Sequence, residues 1–214
     1  MTSSDLLMNG NMTGRQMPDE LRHIYFAVRC EVVELNARWI VFKQLFASGE
    51  ERIRLFNSSA PSFFSMVHDS MRDGIFLSIT RLTDEAMVMG KNTLSLSRLL
   101  EQSGHLLQSK AVESLKALLR SIEKESEPIR TWRNKMGAHN DLQMFVQVDS
   151  TPNIMFDSVG IVLGLLSDFL NNIGQHFGYS DTDFADVMIP GDGDAIVRSL
   201  ERAHARRNCK IAGT

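Results

Sequence analysis

Residues Glu127 to Asp141 (Glu-Pro-Ile-Arg-Thr-Trp-Arg-Asn-Lys-Met-Gly-Ala-His-Asn-Asp) gather more usable chemistry than any other stretch of the chain. Arg130, Arg133 and Lys135 are cations, Asn134 and Asn140 are amides, and His139 is an imidazole. A guanidinium is a permanent cation whose planar fork matches phosphate oxygens. An imidazole gives or takes a proton near neutral pH. Arg133 and His139 together hold what metal-free cleavage of a phosphodiester requires. A base takes the proton of the ribose 2′-hydroxyl, an acid protonates the departing 5′-oxygen, and a cation stabilises charge on the phosphoryl oxygens. One imidazole does not easily do both proton transfers in one step, so a second copy of the chain becomes part of the hypothesis. The expected product is a 2′,3′-cyclic phosphate. DNA, which has no attacking hydroxyl, is expected to resist.

Spacing alone is not specific. Arginine precedes histidine by four to six intervening residues three times, at Arg98–His105, Arg133–His139 and Arg198–His204. About one such match is expected by chance. Context separates the central pair: Trp132 precedes the arginine, Asn134 follows it, and Gly137-Ala138 thins the backbone before the histidine. Six positions of an ideal helix rotate by about 600°, which leaves the two side chains about 120° apart and puts Asn140 on the arginine's face. Either the helix loosens at Gly137 or the pair is completed across a dimer. The plain alternatives are a helix-end His139 that caps carbonyls and an Arg133 that pairs with Glu127 or another acid.

The rest of the chain must position this segment. Its 214 residues suffice for one well-buried domain. Hydrophobic content of 43% and charged content of 23% are those of an ordinary soluble globular protein. A net charge of −3 argues against coating nucleic acid by bulk attraction, so any RNA contact is a local site. Cys30 and Cys209, far apart and outside any CxxC pairing, suit a reducing compartment and offer no zinc site. The N-terminus lacks the pattern of a signal peptide. The longest apolar run, Val159 to Leu166, is too short to span a bilayer. A cytoplasmic protein without membrane association is expected.

Hydrophobic periodicity predicts helices almost throughout. Residues 1–17 read as a disordered N-terminal segment, 18–208 as one helical domain and 209–214 as a tail. Pro18-Asp19-Glu20 opens a long amphipathic helix that ends near Ser48-Gly49. A short helix over Glu50 to Phe56 follows, then a largely apolar one from Pro61 to Leu82. Gly90-Lys91-Asn92 reads as a loop, with Thr93 or Ser95 capping a short helix through Leu100. Another helix covers Ser109 to Glu125, and Pro128 starts the one that holds Arg133. Leu142 to Val148 reads as an extended connector. The most apolar helix runs from Phe156 or Asp157 to His176, where Gly160 and Gly164 would let another helix approach in the core or at a dimer seam. Asp181 to Asp194 is an aspartate-rich loop without the pattern of a calcium loop, and the last helix spans Ala195 to Arg207. Arg81 and Asp84 read as a structural ion pair, and His68-Asp69 lacks a nucleophile for a triad. The fold class expected is all-α, a single-domain bundle of about six to eight helices.

Trp132-Arg133-Asn134-Lys135 leading to Ala138-His139-Asn140-Asp141 resembles the signature of the HEPN superfamily, named for higher eukaryotes and prokaryotes nucleotide-binding. More narrowly, the chain is similar to a branch named after an abortive-infection phage-resistance protein. Supporting text includes Trp39 with Gln44-Leu45-Phe46, Ser78 to Asp84, and Thr93 to Leu100. The resemblance implies a helical bundle that dimerises and a metal-independent endoribonuclease of a phage-defence or toxin type. It points to Arg133, Asn134 and His139 as catalytic residues, with Arg130, Lys135 and Asn140 as weaker RNA contacts. It calls for no metal or other cofactor. RNA, a second copy, and an antitoxin or regulatory partner are the partners it implies. A related branch carries a tyrosine two places after the histidine for nucleotide addition; Asp141 stands there, which counts against that pairing. The alternative of a different class is a non-catalytic helical module that binds nucleotide, RNA or a protein partner.

Overall fold

Seven helices and one two-stranded hairpin make up the regular structure among the residues described, which in this computed structural model are 16–138 and 154–212. The helices are α1 (Asp19–Phe46), α2 (Glu50–Ser59), α3 (Pro61–Leu82), α4 (Leu96–Gly104), α5 (Ser109–Ala138), α6 (Ile154–His176) and α7 (Gly193–Ala212). The all-α class is what periodicity leads one to expect. The expected disorder of residues 1–15 and the expected connector over Leu142 to Val148 lie outside the described residues. Met17, placed with the N-terminal segment by its polar neighbours, is buried among apolar side chains.

The described residues fall into two compact units. The first takes the described part of Met1–Val33 together with Phe76–Phe184. It holds the start of α1, the end of α3, the hairpin, α4, α5 and α6. Leu21, Tyr25, Val28 and Val32 are buried along α1 at spacings of three and four, the stripe that makes an amphipathic helix. Helix α6 is long and apolar enough to cross a membrane by length and composition alone. Val159, Val162, Leu163, Leu166, Phe169 and Leu170 on it are nevertheless buried, and it packs chiefly against α5. Gly160 and Gly164 are on its exposed side, and a Cβ added at either meets nothing within 4 Å. Among the described residues the close approach expected in the core does not occur there, because the apolar residues on the opposite side take the packing.

Two further expectations are corrected in this unit. The break before Pro128 is absent, and α5 runs unbroken through the proline. Proline inside a helix removes one backbone hydrogen bond and costs about 3 kcal/mol or more. Here its ring is exposed, while Leu115, Ile122, Ser126 and Ile129 keep one buried stripe on both sides of it. Continuity of that stripe against α6 outweighs the local cost. The expected loop at Gly90 is the turn of an antiparallel hairpin, Met87–Val88 pairing Lys91–Asn92. Met89 and Gly90 at its tip both have positive φ, 51° and 75°, as a two-residue hairpin turn demands.

The second unit takes Glu34–Ile75 and Ala185–Thr214. Its core gathers Leu45, Phe56, Phe64 and Val197, with the Phe56 and Phe64 rings stacked 4.0 Å apart. Asp192 caps α7 through the Ala195 N–H at 3.0 Å, since a carboxylate at a helix start accepts from a backbone N–H that lacks an internal partner. Gln44 takes the Gly193 N–H at 2.9 Å and donates to Asp192 at 2.8 Å. Asp194 pairs with Arg52 at 2.7 Å. Helix α7 continues to Ala212, past the expected stop at Arg207.

Candidate active site

Position along α5 decides what each cation of the Glu127 to Asp141 stretch can do. Ile122, Ser126 and Ile129 mark the buried stripe, and the same steps of three and four lead next to Arg133. The arginine therefore sits where the pattern calls for an apolar side chain. Its Nε is buried and has no hydrogen-bond partner among the described residues. Glu127, the nearest acid in sequence, accepts from the Thr131 hydroxyl at 3.3 Å instead. Burying a polar group without a partner costs free energy, and a buried unsatisfied donor in a folded protein calls for an explanation.

Arg130, one turn earlier, is engaged. It donates from one terminal nitrogen to Asp84 Oδ1 at 3.2 Å. From the other it donates to the Thr83 carbonyl at 2.8 Å and the Thr83 hydroxyl at 2.7 Å. The expected Arg81–Asp84 pair is replaced by this one; Asp84 meets the Arg81 carbonyl only through its backbone N–H, at 3.3 Å. Thr83 follows the last residue of α3, so its carbonyl belongs to the helix end that lacks an internal partner. A cation there also faces the negative end of the helix dipole. Trp132 meets Phe76 of α3 edge to face, with ring centroids 5.0 Å apart. Phe76 and Thr83 are seven positions apart and share one face of α3.

Asn134 is exposed, and Lys135 lies in the last turns of α5. Helix α5 stays helical through Gly137 to Ala138, so the backbone does not loosen at the glycine. His139 and Asn140 lie outside the described residues. The sequence reading pairs Asp84 with Arg81 and assigns Thr83 no partner, so Arg130 is not found from it. The available signal was that Arg130 precedes Arg133 by three, which puts both on neighbouring faces of one helix.

The same unit holds a second arginine with a buried Nε. Arg29 is 9% exposed, and its Nε likewise has no hydrogen-bond partner among the described residues. Its guanidinium lies 5.9 Å from the ring centroids of both Phe26 and Phe184 and donates to the Thr182 hydroxyl at 2.7 Å. Beside it, the Tyr25 hydroxyl donates to the Leu170 carbonyl at 3.3 Å. Burial pushes the Tyr25 pKa up, opposed in part by the charge of Arg29. Elsewhere, His68 contacts Asp69 at 3.1 Å with its ring against Phe42 and Phe46. His204 meets the Ser59 hydroxyl at 3.0 Å. No group of three or more histidine, cysteine, aspartate or glutamate side chains able to hold a metal occurs among the described residues.

Residues 18–194 match the family model HEPN_AbiU2, described as AbiU2. No curated protein matches the chain, and no solved structure does.

Proposed function

The chain belongs to the HEPN_AbiU2 family, a branch of the HEPN superfamily named after an abortive-infection protein, and we propose that it is a metal-independent endoribonuclease of a phage-defence or toxin type. One observation carries the reading: Arg133 occupies the apolar stripe of α5 with a buried Nε that meets no partner among the described residues. Such a cation is matched by an anion that arrives from outside, and a phosphate presents the oxygens its fork can reach. His139, six positions on, supplies proton transfer. Asn134, exposed beside Arg133, orients the phosphate or the imidazole. Lys135 and Asn140 add RNA contacts at the rim.

In this mechanism two copies of the chain bring their α5 ends together. One His139 removes the 2′-hydroxyl proton as that oxygen attacks phosphorus. The second His139 protonates the departing 5′-oxygen, which leaves a 2′,3′-cyclic phosphate and a 5′-hydroxyl end. Arg133 stabilises the charge that builds on the phosphoryl oxygens. A cytoplasmic setting and a regulatory or antitoxin partner belong to the same proposal.

The test is purified protein with mixed-sequence RNA in excess EDTA, beside Arg133→Ala and His139→Ala variants. Cleavage by the wild type, cyclic-phosphate ends and loss of cleavage in both variants support the enzyme. RNA binding without turnover supports the non-catalytic module instead. A wild type that is monomeric while it cleaves overturns the shared-site mechanism.

A further inference from the structure

Resting on the nuclease reading, we infer that Thr83 and Asp84 are positioning residues, which act through Arg130 to hold the turn of α5 that presents Arg133. Three hydrogen bonds converge on one guanidinium, to the Asp84 carboxylate, the Thr83 carbonyl and the Thr83 hydroxyl. Thr83 is itself fixed: it is 4% exposed, and its hydroxyl has the Ile79 and Thr80 carbonyls at 3.0 and 3.2 Å as acceptors for its one proton. That hydroxyl can donate along α3 and accept from Arg130 at once, so its hydrogen-bonding capacity is matched. The Arg130 and Asp84 side chains are 28% and 25% exposed, which shields the pair from much of the screening that weakens surface ion pairs.

The clamp sits one turn from Arg133, and a second tie, Trp132 on Phe76, lies between them in sequence. Both reach α3. A helix end carrying a proline three residues before Thr131 lacks one backbone hydrogen bond, so side-chain ties must supply the rigidity that the ladder does not. A phosphate-binding arginine works only if its turn is held to within a fraction of an ångström, since a displacement of about 1 Å can cost about 100-fold in rate. Arg130 therefore serves the site from behind, and the contact to RNA falls to Arg133.

The experiment takes the full chain as Thr83→Val, Thr83→Ser, Asp84→Asn and Arg130→Gln, with Ser59→Ala in the other unit as control. Initial rates on a labelled mixed-sequence single-stranded RNA separate kcat from KM, and hydrogen exchange follows the amides of residues 131–138. Thr83→Val, Asp84→Asn and Arg130→Gln are expected to lower kcat by about tenfold or more with KM within about threefold. Exchange at 131–138 should quicken in all three. Thr83→Ser, which keeps the hydroxyl, should stay near wild type, and Ser59→Ala should leave kcat and that exchange unchanged. Wild-type kcat in Thr83→Val overturns the inference, as does protection at 131–138 that survives Arg130→Gln. A rise in KM alone in Arg130→Gln also overturns it and makes Arg130 an RNA contact. A wild type that does not cut RNA removes the nuclease reading itself, a different result from a wild type that cuts while the clamp variants cut equally well.

Discussion

Arg29 and Arg133 share one oddity, a buried Nε with no hydrogen-bond partner among the described residues, and differ in nearly everything around it. Arg29 is enclosed by its own fold. Two phenylalanine rings face its guanidinium, the Thr182 hydroxyl accepts from it, and the Tyr25 phenol is close enough to feel its charge. Cation–π contacts of this kind are worth about 0.5–2 kcal/mol each, so the missing bond at Nε is compensated locally. Arg133 meets no ring or hydroxyl of that sort among the described residues and lies on the helix that precedes His139 in sequence. An unsatisfied guanidinium nitrogen is thus not in itself a mark of function. What separates the two is whether the surrounding side chains already accommodate the cation.

Replacing each arginine by methionine, similar in reach and without charge, sharpens that contrast. In Arg133→Met an apolar side chain returns to an apolar stripe. Stability is expected to stay level or rise by up to about 1 kcal/mol, since trading a buried, unpaired guanidinium N–H on a half-buried side chain for packing is often favourable. RNA cleavage is expected to fall by roughly 10²–10³-fold, the scale for removing one donor to transition-state charge. His139→Ala should lose roughly 10²–10⁴-fold, the scale of general acid–base catalysis. Arg29→Met should do the opposite. A charge-assisted hydrogen bond and two ring contacts disappear, so thermal unfolding should show a loss of roughly 2–4 kcal/mol with the cleavage rate per folded molecule unchanged. If Arg133→Met loses stability as Arg29→Met does, Arg133 is a structural residue and the contrast collapses.

The same two arginines show how far the sequence carries. The helices were legible because apolar residues recur at threes and fours, and α1, α3 and α6 needed nothing more. The sequence divides helix α5 into two pieces because Pro128 is a strong local signal. The buried stripe that overrides it depends on α6, which lies far away in sequence. The hairpin at Met87 to Asn92 is not legible for a related reason: two-residue strands, all exposed, leave no alternation to read. At the site, the type and spacing of Arg133 and His139 were legible, while the state of each cation was not. Whether Arg130 or Arg133 is already engaged depends on Thr83 and Asp84, and residues 47 and 46 positions apart carry no local pattern. His139 itself lies outside the described residues, so its expected role stands as the proposal above.

The next expected effect concerns how tightly the Arg29 region is closed. A Cβ added at Gly174 would stand 2.6 Å from the Tyr25 hydroxyl oxygen and 3.4 Å from the Tyr179 Cβ. Both rings are packed, 5.8 Å apart between centroids, so Gly174→Ala should cost about 1–3 kcal/mol through overpacking. Denaturant unfolding measures it, and an unchanged midpoint would mean that the region can yield.

The smallest effect is also the one with a direction in pH. Tyr25→Phe removes one hydroxyl and its bond to the Leu170 carbonyl, worth about 1 kcal/mol near neutral pH. Burial raises the phenol's pKa in the folded chain, so the folded state favours the neutral form. The stability this provides is fully present below the unfolded value of about 10 and is lost as pH rises through the higher folded one. Wild type and Tyr25→Phe should therefore differ most at neutral pH and converge above pH of about 10. In Arg29→Met the phenol should titrate still higher, because the cation that opposes the shift has gone. Ultraviolet difference titration reads this directly, and a phenol that ionises at its ordinary value in wild type would show that water reaches the Arg29 region. The enclosure that sets Arg29 apart from Arg133 would then be absent.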